Sequence, residues 1–479
     1  MMQTINADIV IIGAGSGGLS LAAGAVQMGA RVVLFEGGEM GGDCLNSGCV
    51  PSKALLAVAK AAHYARSNAR FGVHVADKKI DFAAAKNYVD MVIDTIAPHD
   101  SVARFNSLGV TVISEYAHFK TSHIVVSDNY EVRAKYIVIA TGSTAFVPPI
   151  PGLDKVHYHT NETIFANRET PDHLVIIGGG PIGIEMAQAH SRLGVKVTII
   201  EALAVMGRDD QELVSILKNR LIHEGVTIIE GVGVSEVNQG IEPPSQNGNI
   251  INVHLADGQV LRASHLLVAV GRRPAIDRLD LDAAGIAHNN AGIITNKRLR
   301  TNKKHIYAIG DVAGRQKFTH IAGYHAGIVI RNILFKLPAK IDDNTVPWVT
   351  YCDPELAHVG LTIAEASTKY GADNISILST HLSENDRAIA ESRTEGMVKI
   401  VTHKKGRILG ASILAPAAGE MILAWAVAIT SRQKINTMAS MIAPYPTYGD
   451  ASKRVAGSFY TEKLFSPRIR KIVKFLLKF

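Results

Sequence analysis

The chain has 479 residues, 47% of them apolar, and this predicts a globular protein of two to four domains. With only three Cys it is not a secreted disulfide-rich scaffold, and it has no apolar run long enough for a transmembrane helix. The opening residues do not resemble a signal peptide, so we expect a cytoplasmic location. The net charge is +7, but residues 462–479 carry six Lys or Arg and one Glu. The positive charge is therefore local, and nucleic-acid binding is not expected.

The first predicted elements are a strand at Asp8–Ile12, a glycine-rich turn, a helix to about Met28 and a strand at Arg31–Glu36. The glycines of the turn have the spacing G-x-G-x-x-G: Gly13, Gly15 and Gly18. Such a turn lets a pyrophosphate approach the backbone at the positive end of a helix. Glu36, at the end of the next strand, can accept hydrogen bonds from a ribose. The pattern predicts a dinucleotide site, and the alternative is a purely structural turn.

Two cysteines lie close together in residues 41–53, GGDCLNSGCVPSK. A regular helix would place Cys44 and Cys49 about 140° apart around its axis, whereas a bridge needs Cα atoms within about 7 Å. We therefore expect the segment to depart from a regular helix, which its glycines permit. The pair indicates redox chemistry. Two unbridged thiols and half of a zinc site are the alternatives, although the chain has no second Cys pair to complete a Cys₄ site.

Helices are predicted within residues 52–107 and strands within 110–141, and Pro148, Pro149 and Pro151 mark a domain boundary. The first pattern then returns as a strand at Leu174–Ile177, a helix to about Leu193 and a strand at Lys196–Glu201. The corresponding glycines lie 165 residues further along: Gly178, Gly180 and Gly183.

Two such units predict two doubly wound parallel sheets and two bound dinucleotides, one FAD and the other a nicotinamide cofactor. Glu201 ends the last strand of the second unit and favours NAD(H) over NADP(H), because a carboxylate repels a 2′-phosphate. Arg208 could still reach this position and would then favour NADP(H).

After the second unit, the sequence predicts a hairpin loop at about 240–250, a strand within 265–274 and a helix at about 320–337. From Pro347 the pattern is α+β, with strands at 397–402 and 408–414 and a long apolar helix from Gly419. The fold class expected is α/β, with two doubly wound dinucleotide-binding domains and a C-terminal α+β domain.

Residues 462–479 form a basic amphipathic tail, in which residues 466–479, SPRIRKIVKFLLKF, are predicted to be helical. One face is apolar: Ile469, Ile472, Val473 and Leu476. The other side carries the charges: Arg468, Lys471, Lys474 and Lys478. Such a helix can make weak contact with an anionic membrane surface. The alternative is a terminal helix docked on a dimer.

GGDCLNSGCVPSK resembles the redox-active segment of the flavoprotein disulfide reductases, which include dihydrolipoamide dehydrogenase, glutathione reductase and mercuric reductase. Further matches extend along the whole chain: IVIATGS at 137–143, VAVGRRP at 268–274, IYAIGDVAG at 306–314 and YCDPELAHVGLT at 351–362. The resemblance implies a homodimer whose active sites are completed by the partner's C-terminal domain. It also implies the following division: an FAD domain at 1–148 and 272–344, an NAD(P) domain at 149–271, a dimerisation domain at 345–461 and a tail at 462–479.

The resemblance also implies roles for individual residues. Cys49 is expected nearest the flavin, in a charge-transfer complex, and Cys44 is expected to attack the substrate. Lys53 is expected near flavin N5 and paired with Glu185; without the resemblance they would be a surface lysine and a helix-face acid. Asp311 is expected to bind the ribityl chain. The other implied cofactor-binding positions are Gly42, Thr141, Gly142, Gly271 and Gly310.

The chain departs from the thiol-reducing members near its C-terminus. Those members carry His-Pro-Thr with a Glu five residues after the His, whereas this chain has Tyr445 and Asp450 at these positions. A phenol with a pKa near 10 is a poor base at pH 7. Tyr is similar to mercuric reductase, but the C-terminal Cys pair that delivers Hg(II) in that enzyme has no counterpart after Cys352. Cys352 itself is expected to pack as a small apolar residue.

These features and the resemblance together predict an enzyme. It would be an FAD-dependent NAD(P)H oxidoreductase that is mercuric-reductase-like and passes electrons through a redox-active disulfide between Cys44 and Cys49. The acceptor would be a small disulfide, a metal ion or a quinone, and no resident metal is expected. One alternative is a dihydrolipoamide dehydrogenase that oxidises its substrate with NAD. Another, of a different class, is a redox-sensing flavoprotein that binds a partner.

Overall fold

The computed structural model describes residues 2–76, 79–240 and 250–479. The chain divides into two compact units, the first comprising Met1–Ala202 with Ile228–Asp342 and the second Leu203–Thr227 with Asp343–Phe479. The finer domain boundaries expected from the sequence remain predictions.

The N-terminal part of the first unit is built around a mixed sheet, most of whose strand pairs are parallel. Its elements are β1 (Gln3–Ile12), α1 (Ser16–Gln27), β2 (Val32–Phe35), α2 (Gly42–Asn46), α3 (Cys49–Ser67), α4 (Phe82–Ile96), α5 (Val102–Ser107), β3 (Thr111–Ile113), β4 (His118–Thr121), β5 (Ile124–Val126), β6 (Tyr130–Ile139) and β7 (Ser143–Ala145). The strand order is β3-β2-β1-β6-β5-β4. Along β1, Val10 and Ile12 pack in one core while Ile9 and Ile11 pack in another. Apolar residues therefore cover both faces of the sheet at β1, as the parallel part of a sheet requires, whereas β5 pairs antiparallel with β4 and with β6.

The central part of the chain repeats this pattern. Its elements are β8 (His173–Ile177), α6 (Pro181–Arg192), β9 (Lys196–Glu201), α7 (Gln211–His223), β10 (Val226–Glu230), β11 (Val234–Gln239), β12 (Ile251–Leu255), β13 (Val260–Ala263), β14 (His265–Val268), β15 (Arg272–Pro274), β16 (His288–Asn289), β17 (Gly292–Ile293), β18 (Ile306–Ala308) and α8 (Thr319–Ile333). The second sheet has the order β10-β9-β8-β14. β18 returns to the first sheet and pairs with β6.

The predicted hairpin loop and the end of the helix α8 can be compared with the structure. Residues 241–249 of the predicted hairpin loop lie outside the described residues, but the flanking strands β11 and β12 pair antiparallel, with Gln239 opposite Ile251. α8 ends at Ile333 instead of about Leu337. Lys336 adopts a φ of 55°, and Pro338 follows, so the chain does not continue as a helix.

The second unit is α+β. Its remaining elements are β19 (Pro347–Thr350), β20 (Glu355–Gly360), α9 (Ile363–Tyr370), β21 (Ile375–His381), α10 (Asp386–Ala390), β22 (Met397–His403), β23 (Ile408–Ala415), α11 (Ala418–Thr430), α12 (Ile435–Ser440), α13 (Asp450–Ser458), α14 (Thr461–Leu464) and α15 (Pro467–Leu476). The sheet has the order β19-β20-β23-β22-β21. Lys399 on β22 pairs with Asp210 at 2.8 Å and Glu212 at 2.6 Å, which ties α7 to this sheet. Cys352 is buried, as predicted.

Candidate functional site

The first glycine-rich turn joins β1 to α1 and brings three segments of backbone together. Gly13 has a φ of 106°, and a Cβ there would lie 2.5 Å from the carbonyl oxygen of Ala140. A Cβ on Gly18 would lie 1.9 Å from the carbonyl oxygen of Gly13. A Cβ on Gly15 would meet no atom within 4 Å. Two of the glycines are therefore required for packing, whereas Gly15 borders open space in front of the helix.

The start of α1 is suited to an anion. Gly15 is its N-cap, no side chain caps the helix, and no acidic residue lies in its first turn. The first N–H groups of a helix have no partner within the helix and carry a partial positive charge. A pyrophosphate fits this turn, since the N–H groups supply donors and the position of Gly15 leaves space for it.

The acid at the end of the next strand is held by the same turn. Oε2 of Glu36 accepts a hydrogen bond from the N–H of Ala14 at 2.6 Å, and Oε1 accepts one from the N–H of Gly38 at 2.8 Å. These contacts fix the carboxylate beside the glycine-rich turn, at the place where a dinucleotide ribose was expected.

The second glycine-rich turn, between β8 and α6, repeats this geometry. Gly178 has a φ of 114°, and a Cβ there would lie 2.5 Å from the carbonyl oxygen of Ala269. A Cβ on Gly183 would lie 2.0 Å from the carbonyl oxygen of Gly178, whereas Gly180 again borders open space. Oε2 of Glu201 accepts a hydrogen bond from the N–H of Gly179 at 2.8 Å. The predicted internal repeat therefore extends to individual contacts.

The cysteine-containing segment crosses directly over the first glycine-rich turn. Gly41 forms a parallel bridge with Gly15, and it has a φ of 87°. A Cβ on Gly42 would lie 2.8 Å from the Cα of Gly15. This close approach of backbone to backbone places the cysteines beside the expected dinucleotide site.

The segment departs from a regular helix between the two cysteines. α2 ends at Asn46, Ser47 and Gly48 have non-helical backbone angles, and α3 begins at Cys49. Cys44 and Cys49 are both thiols in the structure, and their side chains hydrogen-bond to each other. A Cβ on Gly48 would lie 2.8 Å from the carbonyl oxygen of Asp43. The interruption thus allows contact between two side chains that a regular helix would hold apart.

The two thiols have opposite pKa shifts. The hydrogen bond from Cys44 lowers the pKa of Cys49 to about 6, and Thr319 and the charge of Lys53 act in the same direction. Desolvation and Asp43 oppose this shift. The pKa of Cys44 is raised, first by its hydrogen bond to Cys49 and then by burial. At neutral pH the pair therefore shares one proton, with the negative charge on Cys49 at the start of α3.

Lys53 follows Cys49 by one helical turn on α3, and its ammonium group lies 3.0 Å from Oε2 of Glu185 on α6. The Glu185 side chain is 6% exposed and that of Lys53 is 36% exposed. The structure thus brings together the two residues that the resemblance paired. The ion pair holds a positive charge close to the Cys49 thiolate.

A polar network connects the thiol segment to the loop that contains Asp311. Nη2 of Arg272 lies 3.0 Å from Oδ1 of Asp43, and its Nε donates to Oγ of Ser143 at 2.8 Å. Ser143 in turn donates to Asp311 at 2.6 Å. Burial, as the largest effect, raises the pKa of Asp311. The sequence placed Arg272 and Ser143 in matching motifs but did not assign them this connecting role.

The other residues that the resemblance implies near FAD lie close in sequence to Ser143, Arg272 and Asp311. Oγ1 of Thr141 donates to the carbonyl oxygen of Ala275 at 2.7 Å. Three glycines have positive φ, namely Gly142 (70°), Gly271 (135°) and Gly310 (68°). A Cβ on Gly142 or Gly271 would meet no atom within 4 Å, so these residues also border open space.

The family model of the pyridine nucleotide-disulphide oxidoreductases matches residues 7–326, and the model of the family's dimerisation domain matches residues 346–456. This chain belongs to that family. It is therefore an enzyme of the FAD-binding, pyridine-nucleotide-dependent class, and the predicted fold class is confirmed. The dimerisation domain supports a homodimer.

The chain is similar to proteins with different names. The mercuric reductase of Streptomyces lividans is 34% identical over 95% of this chain and 96% of its own length. Dihydrolipoyl dehydrogenase 3 of Haloarcula marismortui is 32% identical over 95% of this chain and 96% of its own. The Cu(II) complex of the HOCl-induced flavoprotein disulfide reductase RclA from Escherichia coli matches with a TM-score of 0.83 and 28% identity, over 94% of this chain and 99% of that one.

The second unit contains the residues that replace the family's His and Glu. The hydroxyl of Tyr445 is exposed to solvent and donates to Oδ2 of Asp386 at 2.6 Å, a contact that the sequence did not indicate. Asp450 begins α13. The hydrogen bond to Asp386, then its charge, and more weakly the charge of Asp450 raise the pKa of Tyr445. Tyr445 is therefore a weaker acid than an ordinary tyrosine, and it stays protonated at neutral pH.

Among the described residues, no group of three or more His, Cys, Asp or Glu side chains is arranged to hold a metal ion. Over the same part of the chain, no helix is long and apolar enough to cross a membrane.

Proposed function

We propose that the protein is an NADH-dependent, FAD-containing reductase that passes electrons through Cys44 and Cys49 to a thiophilic metal ion. The observation that carries this proposal is the neighbouring pair of thiols, Cys44 and Cys49, in a family member that has Tyr445 at the position where the thiol-reducing members have a His. Such a pair supplies two soft ligands, and a metal acceptor needs ligands more than it needs a proton shuttle.

The first glycine-rich turn would hold FAD, with Glu36 toward the ribose and Asp311 toward the ribityl chain. FAD, when bound, supplies two-electron chemistry between the nicotinamide and the thiol pair. The second turn would hold NADH. Glu201 supports NADH over NADPH, because its carboxylate is fixed by the N–H of Gly179 at the end of β9 and would repel a 2′-phosphate.

The chain's own groups would then handle charge and protons. Cys49 carries the negative charge, stabilised by Cys44, Thr319 and Lys53. Cys44 retains its proton until a metal ion displaces it and both sulfurs act as ligands. Each NADH supplies two electrons, which reduce one Hg(II) to Hg(0) or two Cu(II) to Cu(I), with release of NAD⁺ and H⁺. The names of the mercuric reductase and of the RclA complex with Cu(II) support this class of acceptor.

Oxidation of dihydrolipoamide is the second candidate, because a dihydrolipoyl dehydrogenase is among the relatives. That reaction requires a base to take protons during dithiol exchange. Tyr445 holds its own proton more tightly than an ordinary phenol, owing to Asp386. We therefore propose that lipoamide is a poor substrate for this protein.

A steady-state panel tests the proposal on the FAD-loaded enzyme. Hg(II), Cu(II), lipoamide, a small disulfide and a quinone are each assayed with NADH and with NADPH. We expect the highest kcat/KM for a metal ion with NADH, and we expect this activity to be lost in Cys44→Ser. Lipoamide turnover at neutral pH that matches metal turnover would refute the role given to Tyr445. Metal reduction that survives Cys44→Ser would refute the thiol route.

A further inference from the structure

The C-terminal helix α15 presents an apolar surface to solvent. It contacts α14, and every residue from Arg470 to Phe479 is exposed. The exposed apolar side chains of residues 464–479 are Leu464, Phe465, Ile472, Val473, Phe475, Leu476, Leu477 and Phe479. Burying such side chains is favourable, so a cluster of this size on one exposed helix indicates a surface that is covered when the protein functions.

The helix is also strongly basic on its other side. At 100° per residue, the apolar positions form one continuous arc that includes Ile469, Ile472 and Leu476. Four basic residues are grouped opposite this arc: Arg470, Lys471, Lys474 and Lys478. Arg468, which the sequence analysis placed with the charges, lies instead at the edge of the apolar arc, near Phe475. Ser466 caps the helix by accepting a hydrogen bond from the N–H of Ile469 at 3.4 Å. The helix therefore begins at a defined residue, and its periodicity places the apolar residues on one side and these four basic residues on the other.

The charge identifies the kind of partner. A second copy of the chain would bring the same basic helix, which would repel this one. The predicted dimerisation domain of that copy, residues 345–461, carries eleven Lys or Arg against ten Asp or Glu, so it has no excess of negative charge to attract the helix. A nucleic acid would match the basic residues but would leave the apolar arc in water. An anionic lipid surface satisfies both sides, because its phosphates meet the basic residues and its acyl boundary takes the apolar ones.

We propose that α15 docks this protein on an anionic lipid bilayer. The helix lies in the plane of the interface and does not cross it, since its ten residues extend only about 15 Å. Phe475 and Leu476 enter the acyl boundary, and Lys471 and Lys474 remain at the level of the phosphates. The enzyme is thereby held at the membrane surface in addition to its reductase activity.

Cosedimentation of the full-length FAD-loaded protein with lipid vesicles tests this proposal. We expect binding to vesicles of mixed phosphatidylglycerol and phosphatidylcholine, and little binding to pure phosphatidylcholine. A basic residue near an anionic surface contributes a factor of about five to partitioning, so Lys471→Gln with Lys474→Gln should lower the partition coefficient roughly 25-fold. The matched control is Lys404→Gln with Lys405→Gln, two exposed lysines elsewhere in the second unit, which should change partitioning less than twofold.

Two further variants address the apolar arc and the alternatives. Phe475→Ser with Leu476→Ser should abolish binding while NADH-dependent activity in solution stays unchanged, which shows that the protein is folded. Equal partitioning of the full-length chain and of residues 1–461 would overturn the proposal. Equal binding to neutral and anionic vesicles would also overturn it. A change in oligomeric mass on truncation, measured by light scattering without lipid, would assign the helix to a contact between copies and not to a membrane.

Discussion

Replacing Thr319 with Val tests the assignment of the thiolate to Cys49. Thr319 begins α8, and its Oγ1 lies 3.4 Å from Sγ of Cys49. Its hydroxyl is one of the groups that hold the pKa of Cys49 at about 6. Val has nearly the same shape as Thr but donates no hydrogen bond, so the variant removes the bond and keeps the packing.

The size of the effect follows from the hydrogen bond and the exposure of the sulfur. A hydrogen bond to a charged group contributes about 1.5–3 kcal/mol, and we take about 1 kcal/mol here, because water replaces part of the bond at an exposed thiolate. That free energy raises the pKa of Cys49 by about 0.7. The thiolate fraction at pH 6 then falls about threefold, while at pH 8 it stays almost complete.

The assay is the rate of Cys49 alkylation by iodoacetamide in the reduced protein, measured across pH and located by peptide mass spectrometry. We expect Thr319→Val to lower the rate about threefold at pH 6 and to leave it unchanged at pH 8. Thr319→Ser keeps the hydroxyl and should behave like wild type. Cys44→Ala removes the largest cause of the low pKa and should have a greater effect than Thr319→Val. Identical pH profiles for Thr319→Val and wild type would refute the reasoning.

Three further changes probe the thiol segment, the nicotinamide turn and the missing base. Gly48→Ala places a Cβ 2.8 Å from the Asp43 carbonyl oxygen and should lower the free energy of unfolding, by about 1–3 kcal/mol in a denaturant titration; Gly457→Ala, where a Cβ meets nothing within 4 Å, should not. Glu201→Gln removes the charge but keeps the shape, so the kcat/KM ratio of NADPH to NADH should rise about tenfold, equivalent to about 1.4 kcal/mol, and an unchanged ratio would contradict the NADH preference. Tyr445→His introduces a base that titrates near neutral pH. General-base catalysis contributes about 10²–10⁴-fold, so lipoamide turnover should increase by about a hundredfold. No gain would show that this position does not limit that reaction.

Local structure was largely predictable, because it depends on residues close together in the chain. The strand, glycine-rich turn and helix at the start of each repeat end within a few residues of the positions expected from periodicity and glycine spacing. The departure from a regular helix between Cys44 and Cys49 also followed from geometry, since a continuous helix holds the two sulfurs apart. The prediction for the end of α8 was less accurate. The helix was predicted to extend to Leu337, directly before Pro338, but it ends at Ile333.

Contacts between residues that are far apart in the sequence could not be predicted, and only the tertiary structure shows them. Thr319 reaches Cys49 across 270 positions, and Tyr445 reaches Asp386 across 59. Neither contact has a local pattern, because a hydrogen bond depends on how elements pack and not on the spacing of residues in one segment. By itself, the sequence determined the two glycine-rich turns, the paired cysteines and the basic amphipathic helix, since each is encoded within a few residues. The tertiary structure decided which side chains lower the pKa of Cys49 and which acid accepts the hydrogen bond of Tyr445, since both depend on side chains that folding brings together.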